Sequence, residues 1–383
     1  MDWSFLIRNK ESINVTTDSR KVVPGCVFVA LKGEHFDGND FVEQARRDGA
    51  EYIISGENAL AELQDLARAW RRELGLPILG ITGTNGKTTT KELCAAVLST
   101  KYKLYYTQGN LNNQLGVPLT LLNITRAHEM AIVEMGASHP GDIKELVEIA
   151  EPNYGLITNV GKAHLQGFGS FEGVMRTKAE LYDFLRAHNG FCFRNTDNPY
   201  LAQMAGDLKT VEYHTGTMPS DTHLVGGYNA ENVSAAICVG RYFGVSEEDA
   251  LAAIRAYIPS NNRSQLMQTE KNTVVVDAYN ANPTSMQAAI NAFKGDCYIL
   301  GAMRELGEYS HLEHQNIVNM LLERKAEKVL LVGEEYKETT APYPVFENVE
   351  ALCEYLQREP LSGYTILLKG SRSNQLEKVI PLL

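Results

Sequence analysis

The 383-residue chain is short of several things, and each shortage narrows what it can be. Basic residues are outnumbered, with 36 Lys and Arg against 47 Asp and Glu, for a formal net charge of −11. A broad basic face of the kind that grips duplex nucleic acid is therefore not expected. Cysteine is scarce and scattered: six residues, at 26, 94, 192, 238, 297 and 353, form no CxxC pair and no zinc-finger spacing. They read as reduced thiols of a cytoplasmic protein. Apolar runs long enough to span a membrane, about 18 residues, are missing. The start, Met1-Asp2-Trp3-Ser4-Phe5, carries an acid where a secretory leader needs a cation, so no signal peptide is expected. Internal repeats and low-complexity segments are also lacking.

What the chain does have is the balance of a well-cored protein, 44% apolar and 22% charged. At roughly 150 residues per domain, its length predicts two or three domains. Short β-rich runs at 26–31, 52–55, 78–82, 130–134, 155–159, 273–277, 298–300, 328–332 and 364–368 alternate with amphipathic stretches at 59–74, 87–99, 141–150, 232–243 and 285–293. That alternation predicts parallel sheets covered by helices. Two seams divide it, Glu73-Leu74-Gly75-Leu76-Pro77 and the polar break at 257–262, giving α/β domains over 1–76, 77–258 and 259–383.

One segment carries chemistry on its face. The apolar strand 78–82 runs into Gly83, Thr84, Asn85, Gly86, Lys87, Thr88 and Thr89, and then into a helical pattern. Glycines in such a loop let backbone N–H groups converge on an anion at a helix N-terminus, where the helix dipole also favours negative charge. Lys87 can reach the outer phosphates of a nucleotide and the Thr88 hydroxyl can ligate Mg²⁺. The general phosphate loop has another glycine where Ile81 stands, so this is a shorter version opening at Gly83. Glu134 ends the strand 130–134, where a metal-binding acid would sit beside such a loop; by itself it is an edge residue. His164 alone reads as a surface or core-edge histidine, and Lys178 alone as a solvated helix lysine.

These and further ordered segments resemble the Mur ligase family, and among its branches the dipeptide-adding one. The likeness runs through 17–20, 27–33 with 37–41, 83–89, 109–113 with 116–118, 134–137, 163–169, 177–181, 228–232, 277–283, 304–307 and 369–372. It implies an α/β protein of three domains. A central parallel sheet of the P-loop ATPase kind is flanked by an N-terminal UDP-substrate domain and a C-terminal Rossmann-like domain. It implies an ATP-dependent ligase that forms an acyl phosphate on UDP-N-acetylmuramoyl-tripeptide and passes the acyl group to D-alanyl-D-alanine, during peptidoglycan precursor synthesis in the cytoplasm. A monomer without membrane insertion is expected.

Carried onto this chain, the family's roles give Asp18, Ser19 and Arg20 to the uridine diphosphate end and Asn110 and Asn113 to the route of the muramyl substrate. Lys87 and Thr88 hold ATP and Mg²⁺, with Glu134 as a further metal ligand. His164 and Lys178, the latter as an N-carbamate, serve a second Mg²⁺. Asn229 and Asn232 lie near the adenine, and Arg263 and Asp277 close over the nucleotide. The carbamate makes physical sense, because an ammonium about 4 Å from Mg²⁺ is repelled by roughly 8 kcal/mol at an effective dielectric near 20. A carbamate instead offers the oxygen that a hard cation prefers.

Three departures from the family pattern stand out. Only a short stretch separates Tyr213 from Asn229, which predicts a trimmed edge of the central sheet near 214–227. Ala302 replaces a common Asp, and Asn261-Asn262 precede Arg263. Competing readings are another ligase of the superfamily, amino-acid-adding or folylpolyglutamate synthase-like, a nucleotide-dependent switch, and a nucleotide-binding relative with impaired catalysis.

Overall fold

The structure, a computed structural model, describes residues 2–34, 36–259 and 263–383. Part of the seam expected at 257–262, including Asn261 and Asn262, lies outside the described residues. Three sheets follow one another along the chain. The first holds β1 (Val15–Thr16), β2 (Val27–Val29) and β3 (Tyr52–Ile54), all parallel and in sequence order. The second holds β4 (Ile78–Thr82), β5 (Leu104–Tyr106), β6 (Met130–Glu134), β7 (Tyr154–Ile157), β8 (Phe191–Asn195) and β9 (Thr210–Tyr213). Its order is β5-β6-β4-β7-β8-β9, with every pairing parallel. The third holds β10 (Gln265–Gln268), β11 (Thr273–Asp277), β12 (Cys297–Gly301), β13 (Lys328–Val332), β14 (Val345–Phe346) and β15 (Thr365–Lys369). Its order is β10-β11-β15-β12-β13-β14, and only β10 runs antiparallel to its neighbour.

The central strands β4 and β6 are buried along their whole length, as parallel strands covered on both faces must be. Their core-facing sequences, Ile-Leu-Gly-Ile-Thr and Met-Ala-Ile-Val-Glu, keep polar residues only at the C-terminal tips. Those tips are where ligands bind in open α/β sheets, outside the carboxyl ends of strands beside the point where the strand order reverses. Here β4 lies between β6 and β7, so the connections leave it in both directions. The central sheet ends at β9, and residues 214–227 carry no further strand beyond an isolated bridge at Leu224.

The first sheet is fastened to the second through the helix Ala59–Leu74. Its apolar stripe of Leu63, Leu66, Ala67 and Trp70 enters one continuous core with Val117, Leu121, Ile143 and Leu146. Polar groups finish the joint. Trp70 Nε1 donates to Ile124 O at 2.8 Å, and buried Arg71 donates to Ala150 O and Glu151 O, each at 2.9 Å, completing the C-terminal end of the helix Asp142–Ala150.

The third sheet's unit meets the second through polar side chains and through Val225 and Tyr228, which pack against its core. Asn282 Nδ2 donates to Asn85 Oδ1 at 2.7 Å, Lys162 N to Thr284 Oγ1 at 3.0 Å, and Lys162 Nζ pairs with buried Glu313 at 2.7 Å. An apolar weld on one side and a mixed polar and apolar seam on the other leave a cleft above the tips of β4, β6, β11 and β15.

Candidate active site

The cleft has a volume of about 880 Å³ and is lined from both the central and the third sheet. On its floor is the loop between β4 and the helix Lys87–Leu98. Gly83 and Gly86 take φ of +140° and +77°. A Cβ on Gly83 would collide with Thr158 Oγ1, and one on Gly86 with Asn232 Oδ1, so no other residue fits either place. The neighbouring strand end clamps the loop: Thr84 N donates to Asn159 O at 2.9 Å, Asn85 N to Asn159 Oδ1 at 3.0 Å, and Thr158 Oγ1 to Asn85 O at 2.6 Å. No side chain caps the helix start, which leaves its N–H groups for an anion.

Lys87 folds back over this loop, donating to Gly83 O at 2.7 Å and Thr84 O at 2.9 Å. Burial pushes its amine down to about 8; the Glu134 charge opposes that shift and the Arg263 charge adds to it. One residue on, Thr88 Oγ1 donates to Glu134 Oε1 at 3.2 Å, and Asn112 Nδ2 donates to the same oxygen at 2.9 Å. Glu134 Oε2 is buried and has no hydrogen-bond partner among the described residues. A buried carboxylate oxygen free of hydrogen bonds, beside a hydroxyl, is a hard-oxygen donor set that suits Mg²⁺.

Lys178 and His164 come from the next elements along. The helix Phe171–Ala187 starts at Ser170, whose hydroxyl accepts Gly173 N at 3.1 Å, and it buries Val174, Lys178, Leu181 and Leu185 on one face. Lys178 is only 2% exposed, which overturns the solvated reading of it. Its Nζ sits 5.5 Å over the Phe168 ring and has no hydrogen bond or ion pair among the described residues. Burial holds this amine well below the usual lysine range, and the Lys87 charge lowers it further, against Asp142 and Glu180. His164 adopts φ +49° after β7, and its Nδ1 meets the Glu305 carboxylate from the third sheet's side. Burial lowers its pKa, Glu305 opposes the shift, and the charges of Lys87 and Lys178 reinforce it.

Asn229 and Asn232 stand behind the loop, both buried. Thr90 Oγ1 donates to Asn232 Oδ1 at 3.0 Å, Asn232 Nδ2 to Asn229 Oδ1 at 2.9 Å, and Asn229 Nδ2 to Val225 O at 2.8 Å. Across the cleft, Asp277 ends β11 and pairs at 2.6 Å with Lys369, its registered partner at the end of β15. The Arg263 guanidinium lies 3.7 Å from the Tyr279 ring centre, a cation–π contact, and Arg372 approaches the same ring at 5.7 Å. Asn110 and Asn113 line the cleft too, with Asn113 Oδ1 accepting Gly116 N at 2.9 Å to start the next helix.

The cleft thus gathers Thr84, Asn85, Gly86, Lys87, Thr88, Thr89, Glu134, His164, Asn229, Asn232, Arg263, Asp277, Asn110 and Asn113. Gly83 and Lys178 stand beside it without lining it. Asp18, Ser19 and Arg20 are not brought to it. Asp18 instead caps the turn Ser19–Lys21 and binds Arg20 Nε and Nη2, each at 2.8 Å, which holds its carboxyl well below the usual range. Lining residues given no role by sequence include Asn112, Tyr279, Glu305 and Lys369. All four lie inside the family-like segments, which was the available signal.

Three family models match successive, partly overlapping stretches of the chain. Residues 13–96 match the model described as Mur ligase family, catalytic domain, residues 81–215 the Mur ligase middle domain, and residues 262–372 the Mur ligase, glutamate ligase domain. A Bacillus subtilis protein named UDP-N-acetylmuramoyl-tripeptide–D-alanyl-D-alanine ligase is 33% identical over 96% of this chain and 92% of its own length. The Escherichia coli protein of that name is 32% identical over 96% and 93%. Among solved structures, a MurF ligase from Thermotoga maritima in complex with ADP superposes with a TM-score of 0.86 at 28% identity, over 98% of each chain. MurF from Acinetobacter baumannii gives 0.84 at 28%, over 96% of this chain and 92% of that one.

Proposed function

The chain belongs to the Mur ligase family, and from that premise we infer that it is an ATP-dependent ligase joining D-alanyl-D-alanine to UDP-N-acetylmuramoyl-tripeptide in peptidoglycan precursor synthesis. The observation that carries this reading is the likeness to the dipeptide-adding ligases along 96% of the chain. One polar cleft containing a Gly-Lys-Thr loop and residues of the third sheet supports it.

The reaction passes the γ-phosphoryl group of ATP to the terminal carboxylate of the tripeptide, releasing ADP. The free amine of the dipeptide attacks the acyl phosphate and loses a proton, and phosphate leaves. The protein's share is position and charge. The loop amides of Gly83, Thr84, Asn85, Gly86, Lys87, Thr88 and Thr89 receive the phosphates. Lys87 leaves the carbonyls of Gly83 and Thr84 to meet the transferring group. Asn229 and Asn232 bind near the adenine, and Arg263 and Asp277 face the nucleotide from the third unit.

Thr88 and Glu134 would hold one Mg²⁺, and His164 with Lys178 a second. When bound, the metal supplies Lewis-acid stabilisation of charge on phosphoryl oxygens. Lys178 fits an N-carbamate because its amine is buried, unpartnered and shifted toward the neutral form. That form adds CO₂, losing a proton, to become an anionic oxygen donor. Asp18, Ser19 and Arg20 take the uridine diphosphate end, and Asn110 and Asn113 line the path of the peptide. The units divide at 76 and 258, and the enzyme works as a cytoplasmic monomer. Among the described residues no helix is long and apolar enough to cross a membrane.

Neither residues 214–227 nor Ala302 lines the cleft, which speaks against impaired catalysis as the reason for those departures. The test is phosphate release with ATP, Mg²⁺ and UDP-muramyl-tripeptide, with and without D-alanyl-D-alanine. Release and a new amide that depend on the dipeptide are expected. Equal release without it, or preference for a single amino acid, would overturn the assignment.

A further inference from the structure

Behind the phosphate loop lies a buried ion cluster that the reaction above only partly uses. Lys91 follows Lys87 by one helical turn, and its side chain is fully buried. Its Nζ donates to Thr107 O at 2.7 Å, lies 3.0 Å from Glu92 Oε1 and stands 3.7 Å from Glu134 Oε2. That is the same Glu134 oxygen that lacks a hydrogen bond, while the other accepts from Thr88 and Asn112. The backbone around the lysine is pinned as well, since Glu134 N donates to Thr107 Oγ1 at 2.9 Å. A fully buried ammonium is costly unless it balances charge nearby, and this one sits between two carboxylates.

The charges near this point are those of Lys87, Lys91 and Arg263 against Glu92 and Glu134, so the group carries no surplus negative charge before any ligand arrives. A divalent cation entering alone would add two positive charges that no free carboxylate there compensates, in a low-dielectric pocket. A nucleotide polyphosphate brings the missing negative charge with it.

We propose that Lys91 is the resident counter-ion of Glu134, closing the metal position to free divalent cations so that metal enters only together with nucleotide phosphates. This rests on reading Thr88 and Glu134 as metal ligands. Lys91 acts through Glu134, so it is a positioning residue that sets the order of binding.

The test counts free Mn²⁺ by electron paramagnetic resonance in solutions of the full chain, with and without ADP. The wild-type protein is expected to take up Mn²⁺ only after ADP is added. Lys91→Met should bind Mn²⁺ without nucleotide at least about tenfold more tightly than wild type, about 1.4 kcal/mol. Its thermal unfolding temperature should also rise with Mn²⁺ alone, which the wild type's should not. Should Lys91→Met fail to fold, Lys91→Gln, neutral but still able to donate to the Thr107 carbonyl, is read in the same way. Affinity of the folded variant equal to or weaker than wild type overturns the proposal. So does wild-type protein that binds Mn²⁺ equally well with and without ADP. Glu134→Gln separates the two levels. If it keeps Mn²⁺ in the presence of ADP, the ligand assignment itself fails; if it loses Mn²⁺ while Lys91→Met behaves as wild type, only the role of Lys91 falls.

Discussion

Nucleotide affinity should fall as pH rises through 8, because Lys87, the cation proposed to meet the phosphates, is only weakly held as a cation in the free cleft. Burial lowers the Lys87 amine from 10.5 to about 8. At about 1.36 kcal/mol per unit, carrying that charge in the nucleotide-free protein costs roughly 3 kcal/mol. Polyphosphate favours the protonated form and returns the pKa toward or above its ordinary value. The sign follows: below pH 8 the proton is already present and binding needs none, whereas above pH 8 binding must take one up. At pH 9 about nine-tenths of a proton should be absorbed per ADP bound and at pH 7 about one-tenth, with affinity dropping toward tenfold per unit above 8. A terminal phosphate titrates near 6 and so contributes little in this window. Calorimetric titration of ADP at pH 7, 8 and 9, in buffers of different ionisation enthalpy, reads the uptake directly. Lys87→Met should bind more weakly and lose the pH dependence. Flat affinity and no proton uptake between pH 7 and 9 would refute the electrostatic account of this lysine.

Gly86→Ala should lower ADP affinity by at least about a hundredfold and cost roughly 1–3 kcal/mol of stability, because the new methyl meets Asn232 at a left-handed φ; equilibrium unfolding and ADP titration measure both. Thr88→Val should lose Mn²⁺ binding in the presence of ADP while keeping metal-free ADP affinity within about threefold, since a methyl replaces one oxygen ligand. Lys178→Ala should lose most ligation, and formate or acetate in the buffer should restore part of it by supplying the missing oxygen; full activity without them would remove this lysine from the mechanism.

The phosphate loop was legible because its chemistry is local: a buried strand, two glycines at forced φ, a lysine and a threonine all lie within a dozen residues. Strand order was not legible, since β4 between β6 and β7, and β15 between β11 and β12, are long-range pairings that no local pattern records. The longest helix, Phe171–Ala187, escaped the periodicity reading because charged residues interrupt its apolar stripe. Taken alone, Lys178 passed for a solvated residue for the same reason, and only the family likeness drew it into the site, although Val174, Leu181 and Leu185 place it on the buried face by helical spacing. Lys91 hid similarly among Lys87, Cys94 and Leu98, where a lysine suggests solvent until the facing carboxylates are seen. Short edge strands such as β1 and β14, two residues each, carry too little pattern to find.

The helix Ala59–Leu74 gives the first sheet a fixed station relative to the phosphate loop, because its core is continuous with the central one. If, as proposed, Asp18 and Arg20 anchor the uridine diphosphate end, the body of the enzyme becomes a ruler. The sugar and peptide must span one set distance to bring their terminal carboxylate up to the transferring phosphoryl group. A peptide residue adds up to about 3.6 Å of reach. A substrate one residue short stops before the phosphate, and one residue long must buckle within the cleft. On that reading, selection for a tripeptide would come from the spacing between two rigidly joined parts.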